Sequence, residues 1–327
     1  MSDPSSFAKD WEAVRTAVGS VLVGQDDVVE GVLTALFAGG HVLLEGVPGL
    51  GKTLLVRTLG AALGLDFRRI QFTPDLMPAD VTGTTVVEET EQGRSLVFRR
   101  GPVFTQLLLA DEINRATPKT QSAMLEAMQE RSVTVGGVTH ELPAPFMVMA
   151  TQNPVEQEGT YPLPEAQLDR FLFKLIVPTT GREDLVEILR RTTGASQPEP
   201  NPVLDGGRLL AHQQAVRSVE ANDETHDYAA RLVLATHPSH DMASPEAARW
   251  LRFGASPRAA QALLLAGKVR ALRDGRTLVR PEDLVPAALP ALRHRLHRGF
   301  EAEAEGVDTD QVVKAVLETV PQHSVST

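Results

Sequence analysis

His41-Val42-Leu43-Leu44-Glu45-Gly46-Val47-Pro48-Gly49-Leu50-Gly51-Lys52-Thr53 passes from an apolar run into glycines and then into a lysine and a threonine. The run from His41 to Glu45 reads as a buried strand. The glycines read as a tight turn, and Lys52 to about Leu63 reads as a helix. Gly46 to Thr53 fits the Walker A pattern at every position, in the strand–turn–helix setting that the pattern requires. Glycines let backbone N–H groups close on phosphate oxygens, and a helix N-terminus adds positive potential. Lys52 can then reach the β- and γ-phosphates, and the Thr53 hydroxyl can sit on Mg²⁺. Gly46, Val47, Pro48, Gly49, Leu50, Gly51, Lys52, Thr53 and the following Leu54 are the expected nucleotide-binding stretch. A chance glycine turn before a helix is the bland alternative, and the flanking strand and helix weigh against it.

Outward from this loop, Phe67–Phe72, Gln106–Ala110, Met147–Ala150 and Phe171–Val177 are further strand candidates. Apolar strands alternating with helices imply an α/β fold with a mostly parallel sheet covered on two sides. Pro118 to Arg131 reads as a helix with Met124, Leu125 and Met128 on one side. Thr84–Glu89 and Ser95–Arg99 flank Gln92-Gly93, and Arg131–Val135 and Val138–Leu142 flank Gly136-Gly137, so two hairpins are expected. Phe7, Trp11, Val14 and Val18 give an opening helix one apolar stripe, and a second helical stretch runs to about Phe37. Gly194 to Pro202 is rich in Pro, Gly and Ser and reads as a linker. The Ala-, Leu- and Arg-rich chain beyond it lacks strand patterns and reads as helical, with Pro257 and Pro281 at helix starts.

The chain has 327 residues, 42% of them apolar and 23% charged, enough for one large domain or two modest ones. A net charge of -10 speaks against nucleic acid as the main partner, since it repels a phosphate backbone on average. Absence of cysteine excludes disulfides and thiolate chemistry. Met1 to Asp10 does not read as a signal peptide, and no apolar stretch reaches the roughly 18 residues of a membrane helix. The expectation is a soluble cytoplasmic protein without membrane insertion.

Leu107-Leu108-Leu109-Ala110-Asp111-Glu112 is an apolar strand ending in two carboxylates, the Walker B arrangement. Asp111 is expected to hold Mg²⁺, largely through water. Glu112 is the candidate general base for the attacking water. Alone the pair would read as a solvated strand end; after a Walker A match it reads as a site. Asn153 closes another apolar strand, where ligands of parallel sheets collect, and can orient the water or sense the γ-phosphate. Its alternative is a turn residue before Pro154. Arg258 sits two residues beyond the cap candidate Ser256, where a cation opposes the helix dipole and a phosphate partner would offset that cost.

Gly46 to Thr53, Asp111 to Ala116, Ala150 to Pro154, Gly159 to Phe171 and Gly254 to Ala259 together resemble the blocks of MoxR-family AAA+ proteins, in the family's order and over most of the chain. The resemblance implies an AAA+ P-loop αβα core (residues 1–193) of the helix-2-insert branch, a linker (194–202) and an all-α lid (203–327). It implies an ATPase using ATP and Mg²⁺, in a homo-oligomeric ring, usually a hexamer, with ATP between subunits. The first hairpin looks like the helix-2 insert and the second like the hairpin before sensor 1, both facing the pore or a client. Arg170 matches the arginine finger, a group worth roughly 10³ to 10⁵ in rate; a salt bridge to Asp169 or Glu165 is the alternative. Arg258 matches sensor 2, acting in its own subunit or across the interface. Gly24 and Gln25 match the turn that touches adenine, and a helix-capping turn is the competing reading.

The implied activity is a chaperone-like motor that remodels or activates partner proteins, often ones with von Willebrand factor A domains. A nucleotide-gated binding module, the motor subunit of a metal chelatase and a DNA-dependent motor are the alternatives. His237 and His240, and His294 and His297, are spaced as metal ligands can be, but without a recognisable third ligand they read as surface or interdomain residues. Arg293, Arg295 and Arg298 could touch an acidic partner, but such a run more often is a solvated helix face. The tail from Gln322 to Thr327 reads as disordered.

Overall fold

A computed structural model describes residues 4–47, 49–90, 93–154, 159–193 and 200–323. Pro48, most of the expected linker (194–199) and the last four tail residues lie outside the described residues. The described chain opens with α1 (Pro4–Gly19) and α2 (Asp26–Ala38). The stripe of Phe7, Trp11, Val14 and Val18 is fully or almost fully buried, so α1 lays one face on the core. α2 ends where Gly39 turns left-handed at φ 73° and donates back to its last turn.

The phosphate-loop stretch forms β1 (Val42–Glu45) and α3 (Lys52–Leu63), followed by β2 (Phe67–Gln71). A short α4 (Pro78–Thr82) leads into the hairpin of β3 (Gly83–Thr90) and β4 (Gly93–Arg100). β5 (Leu107–Asp111) passes through a single 3₁₀ turn to α5 (Pro118–Glu130). β6 (Ser132–Val135) and β7 (Val138–Glu141) make the second hairpin around Gly136 and Gly137, both at positive φ. β8 (Met147–Gln152), α6 (Glu165–Leu168), β9 (Phe173–Ile176) and α7 (Arg182–Thr192) follow.

Among the described residues the main sheet has five parallel strands in the order β2-β5-β8-β1-β9. The interior strands are buried on both faces because helices cover both. Alternation within β5 divides the core: Leu107 and Leu109 join the cluster under α1, α2 and α3, whereas Leu108 and Ala110 join the cluster under α5. Parallel strands end on one side, so the residues after β1, β5 and β8 meet along one edge.

The stretch expected to be the lid holds α8 (Gly206–Ser218), β10 (Glu220–Ala221), α9 (Asp223–Leu234), α10 (Pro245–Trp250), β11 (Leu251–Phe253), α11 (Pro257–Arg273), β12 (Leu278–Val279), α12 (Val285–Leu292), β13 (His297–Arg298), α13 (Phe300–Glu305) and α14 (Thr309–Thr319). Asp205, Asn222, Ser244, Ser256 and Asp308 cap their helices by accepting a backbone N–H. The helical reading therefore stands, with two additions: β10 pairs with β12 and β11 with β13. Strands of two or three residues are too short for alternation to show in sequence.

The arginine run is not a solvated face. Arg295 is 4% exposed, pairs with Asp169 and donates to carbonyls of the core turn 169–172. Arg293 pairs with Asp310 and donates to the Lys174 carbonyl, while Arg298 stays exposed. The lid docks the end of α12 on the core there, and the guanidinium forks satisfy carbonyls that burial would otherwise strand. His294 is buried and bonds the Phe171 carbonyl at 3.1 Å. His237 and His297 bond the Ala255 carbonyl and Glu165.

Candidate nucleotide site

The carboxyl edge of the sheet holds a cleft of about 380 Å³ lined by Gly49, Gly51, Lys52, Thr53 and Leu54 on the loop side. Asp111, Glu112, Asn153 and Arg69 line it on the sheet side. Gly49 and Gly51 take φ of 84° and 78°, a backbone that L side chains rarely adopt, so glycine is required at both positions. α3 begins without a side-chain cap, which leaves N–H groups of its first turn for an anion. The Lys52 ammonium donates to the Gly46 carbonyl. Half-burial lowers its pKa from the ordinary lysine value, opposed by the charges of Asp111, Glu112 and Glu45.

Asp111 is held by two neighbouring strands. Its Oδ1 accepts from Thr151 Oγ1 at 2.6 Å, and its Oδ2 accepts from Arg69 Nε at 3.0 Å and Nη2 at 2.6 Å. Glu112 leaves β5 in the left-handed region, at φ 55° and ψ 49°. For a residue with a Cβ that conformation costs about 1–2 kcal/mol. Its N–H donates to Thr151 Oγ1 at 2.8 Å, and its Oε2 accepts from Gln71 Nε2 at 2.8 Å and Arg115 Nη1 at 3.0 Å. Asn153, two residues beyond Thr151, is 7% exposed.

Gly24 takes φ 70°, and Gln25 begins α2 without capping it through its side chain. Gln25 Nε2 instead donates to the Leu50 carbonyl at 2.7 Å, tying this turn to the phosphate loop. Its Oε1 is buried with no partner among the described residues. Val47 and Leu50 belong to the loop without lining the cleft, and Pro48 lies outside the described residues.

Arg170 and Arg258 are not among the cleft's lining residues. Arg170 Nη1 donates to the Leu125 carbonyl on α5 at 2.7 Å. Its expected acidic partners are engaged elsewhere: Asp169 with Ser256 and Arg295, Glu165 with His297. Arg258 has Asp169 at 3.9 Å, so part of its charge is met within the chain. A protein carboxylate already faces the cation.

Sequence reasoning missed Arg69, Gln71 and Thr151. Arg69 and Gln71 alternate on the edge strand β2, in register with Leu109 and Asp111 of β5. Polar residues at period two in a strand otherwise taken as apolar are the signal that could have found them.

The architecture and the cleft are those of an AAA ATPase core with its lid. Residues 41–173 match the model of the "ATPase family associated with various cellular activities (AAA)", and residues 246–316 match the AAA lid domain. Chaperone MoxR1 of Mycobacterium tuberculosis is 46% identical over 93% of this chain and 80% of its own length. Uncharacterized protein YeaC of Bacillus subtilis is 44% identical, covering 93% of this chain and 92% of the relative. Protein MoxR of Methylorubrum extorquens is 33% identical with the same coverage. A crystal structure of a candidate ATPase from Cytophaga hutchinsonii superimposes with a TM-score of 0.89 at 40% identity, covering 97% of this chain and 96% of that one. The chain belongs to the MoxR family of AAA+ ATPases. Among the described residues no helix is long and apolar enough to cross a membrane.

Proposed function

We infer that this protein hydrolyses ATP with Mg²⁺ and uses the cycle to remodel or activate partner proteins. The observation that carries the reading is the convergence of Lys52, Thr53, Asp111, Glu112 and Asn153 on one cleft beside an uncapped helix N-terminus. The donor set suits the metal: a hydroxyl on Thr53 and a carboxylate on Asp111 are hard oxygen ligands. Mg²⁺, when bound, neutralises charge on the phosphates. Lys52 and the N–H groups of the loop bind the triphosphate. Glu112, steered toward the cleft by its left-handed backbone, accepts the proton of the attacking water. Asn153 orients that water or senses the γ-phosphate. The Gly24-Gln25 turn holds the adenine, with Gln25 Oε1 as a spare acceptor beside the loop.

Arg170 serves the ATP of a neighbouring subunit in a hexameric ring, and Arg258 contributes from the lid. The domain division at 193 and 203 separates core from lid. The hairpins β3–β4 and β6–β7 act on the client, a protein with a von Willebrand factor A domain. Val87, Leu96 and Val138 offer them exposed apolar side chains. The protein works in the cytoplasm.

Phosphate release from ATP by the purified chain in the presence of Mg²⁺ tests the reading. Glu112→Gln is expected to retain nucleotide and lose turnover. Hydrolysis by this variant at the wild-type rate would remove Glu112 as the base. Captured with ATP present, the same variant is expected to retain the client.

A further inference from the structure

Asp169 lies immediately before Arg170, and its carboxylate is gripped by the lid from several sides. Ser256 Oγ lies 2.8 Å from both carboxylate oxygens, Arg295 Nε donates to Oδ1 at 2.7 Å, and Arg258 Nε is 3.9 Å from Oδ2. Arg295 also donates to the carbonyls of Asp169 at 3.1 Å, Phe171 at 2.7 Å and Leu172 at 3.2 Å. The chain on both sides of Arg170 is therefore fastened to the lid, while Arg170 itself reaches the other way, to α5. Ser256 and Arg258 belong to the start of α11, and Arg295 follows α12, so a shift of either element pulls on the turn that presents Arg170.

We propose that Asp169 is a positioning residue for Arg170, coupling the lid of one subunit to the arginine it offers its neighbour. A burial of Arg295 this deep needs a compensating anion, and Asp169 supplies it. The same carboxylate ties Ser256, Arg258 and Arg295 to one short turn, so lid closure and presentation of Arg170 are one movement. This inference rests on the reading that Arg170 acts across the subunit interface, and its test separates the two.

The experiment uses full-length chains. Asp169→Asn is expected to bind a fluorescent ATP analogue as wild type does, because its own cleft is intact, while turnover falls about a hundredfold, the scale of a displaced catalytic group. Mixed with Lys52→Ala chains, which lack a working cleft but keep Asp169 and Arg170, it should regain activity. Mixed with Arg170→Ala chains it should not, since both fail in the same service to a neighbour. Asp169→Asn/Arg295→Gln removes the uncompensated buried charge while keeping an amide donor for the turn carbonyls, should melt as wild type does, and should show the same pattern of rescue. Wild-type turnover in Asp169→Asn, recovery with Arg170→Ala, or failure of both variants to reach wild-type melting overturns the proposal. If Arg170→Ala is rescued by Lys52→Ala but Asp169→Asn is not, only this inference falls. If Arg170→Ala is not rescued either, the interface reading falls and takes this inference with it.

Discussion

Thr151 Oγ1 donates to Asp111 Oδ1 at 2.6 Å while accepting the Glu112 N–H at 2.8 Å. One fully buried hydroxyl on β8 thereby holds the two consecutive carboxylate residues at the end of β5, the first by its side chain and the second by its backbone. The second is the residue in left-handed conformation, whose cost persists only where the surroundings compel it.

Thr151→Val keeps the shape and removes the hydroxyl. It leaves the Glu112 N–H without its acceptor, a loss of about 1–3 kcal/mol if no water replaces it. Turnover should drop about tenfold, as when outer partners of a metal ligand are removed, with nucleotide affinity retained. Thr151→Ser should restore most of the rate. Steady-state kinetics with a parallel binding titration checks this, and a Thr151→Val enzyme with wild-type turnover would assign the hydroxyl to packing alone.

Arg69 occupies Oδ2 of Asp111, the carboxylate that would hold Mg²⁺ through water. The pair is half-exposed on the arginine side, so it is worth about 0.2–1 kcal/mol. Arg69→Gln should therefore lower the Mg²⁺ concentration giving half-maximal turnover by up to about fivefold, the free-energy range of such a pair. A magnesium titration at fixed ATP reads this directly. A raised requirement would instead make Arg69 a phosphate ligand.

His41 accepts the Val148 N–H at Nδ1 (2.9 Å) and faces the Met128 carbonyl with Nε2 (3.1 Å), so the ring is neutral with its proton on Nε2. Burial pushes its pKa down to about 4 from an ordinary 6.5; the Met128 bond opposes this and the Arg131 charge adds to it. The unfolded chain then binds more protons than the folded one between these values. The stabilisation is complete above the unfolded pKa and is lost as pH falls toward 4, by up to about 3 kcal/mol. Buried His294, beside Arg295, shifts in the same direction. Denaturation midpoints at about pH 7.5 and about pH 5 should converge in His41→Gln, leaving the part due to His294. An equal drop in wild type and variant would show that His41 is not the group titrating.

The main elements of the α/β core, both hairpins and the cleft's chief residues were legible in the residues alone. Walker A chemistry is local: the glycines, Lys52 and Thr53 are consecutive, and their backbone conformations follow from glycine and from helix geometry. Asp111 and Glu112 were legible because an apolar strand ends on them, and Asn153 because another does. The caps at Ser256 and the glycine turns were legible for the same reason, since each is settled within a few residues.

The arginines were not settled in that way. Which carboxylate Arg69 meets depends on β2 lying beside β5, a matter of strand order. Arg295 looked like a solvated cation, yet it is buried against Asp169, 126 residues away in the chain. Arg258 meets the same carboxylate, at 3.9 Å, only through the fold. Short-range pattern specifies which groups a segment carries and how its backbone turns. Partnership between charges far apart in the chain arises only once the fold sets which strands are neighbours, as for Arg69, or buries a guanidinium that must then find an anion, as for Arg295.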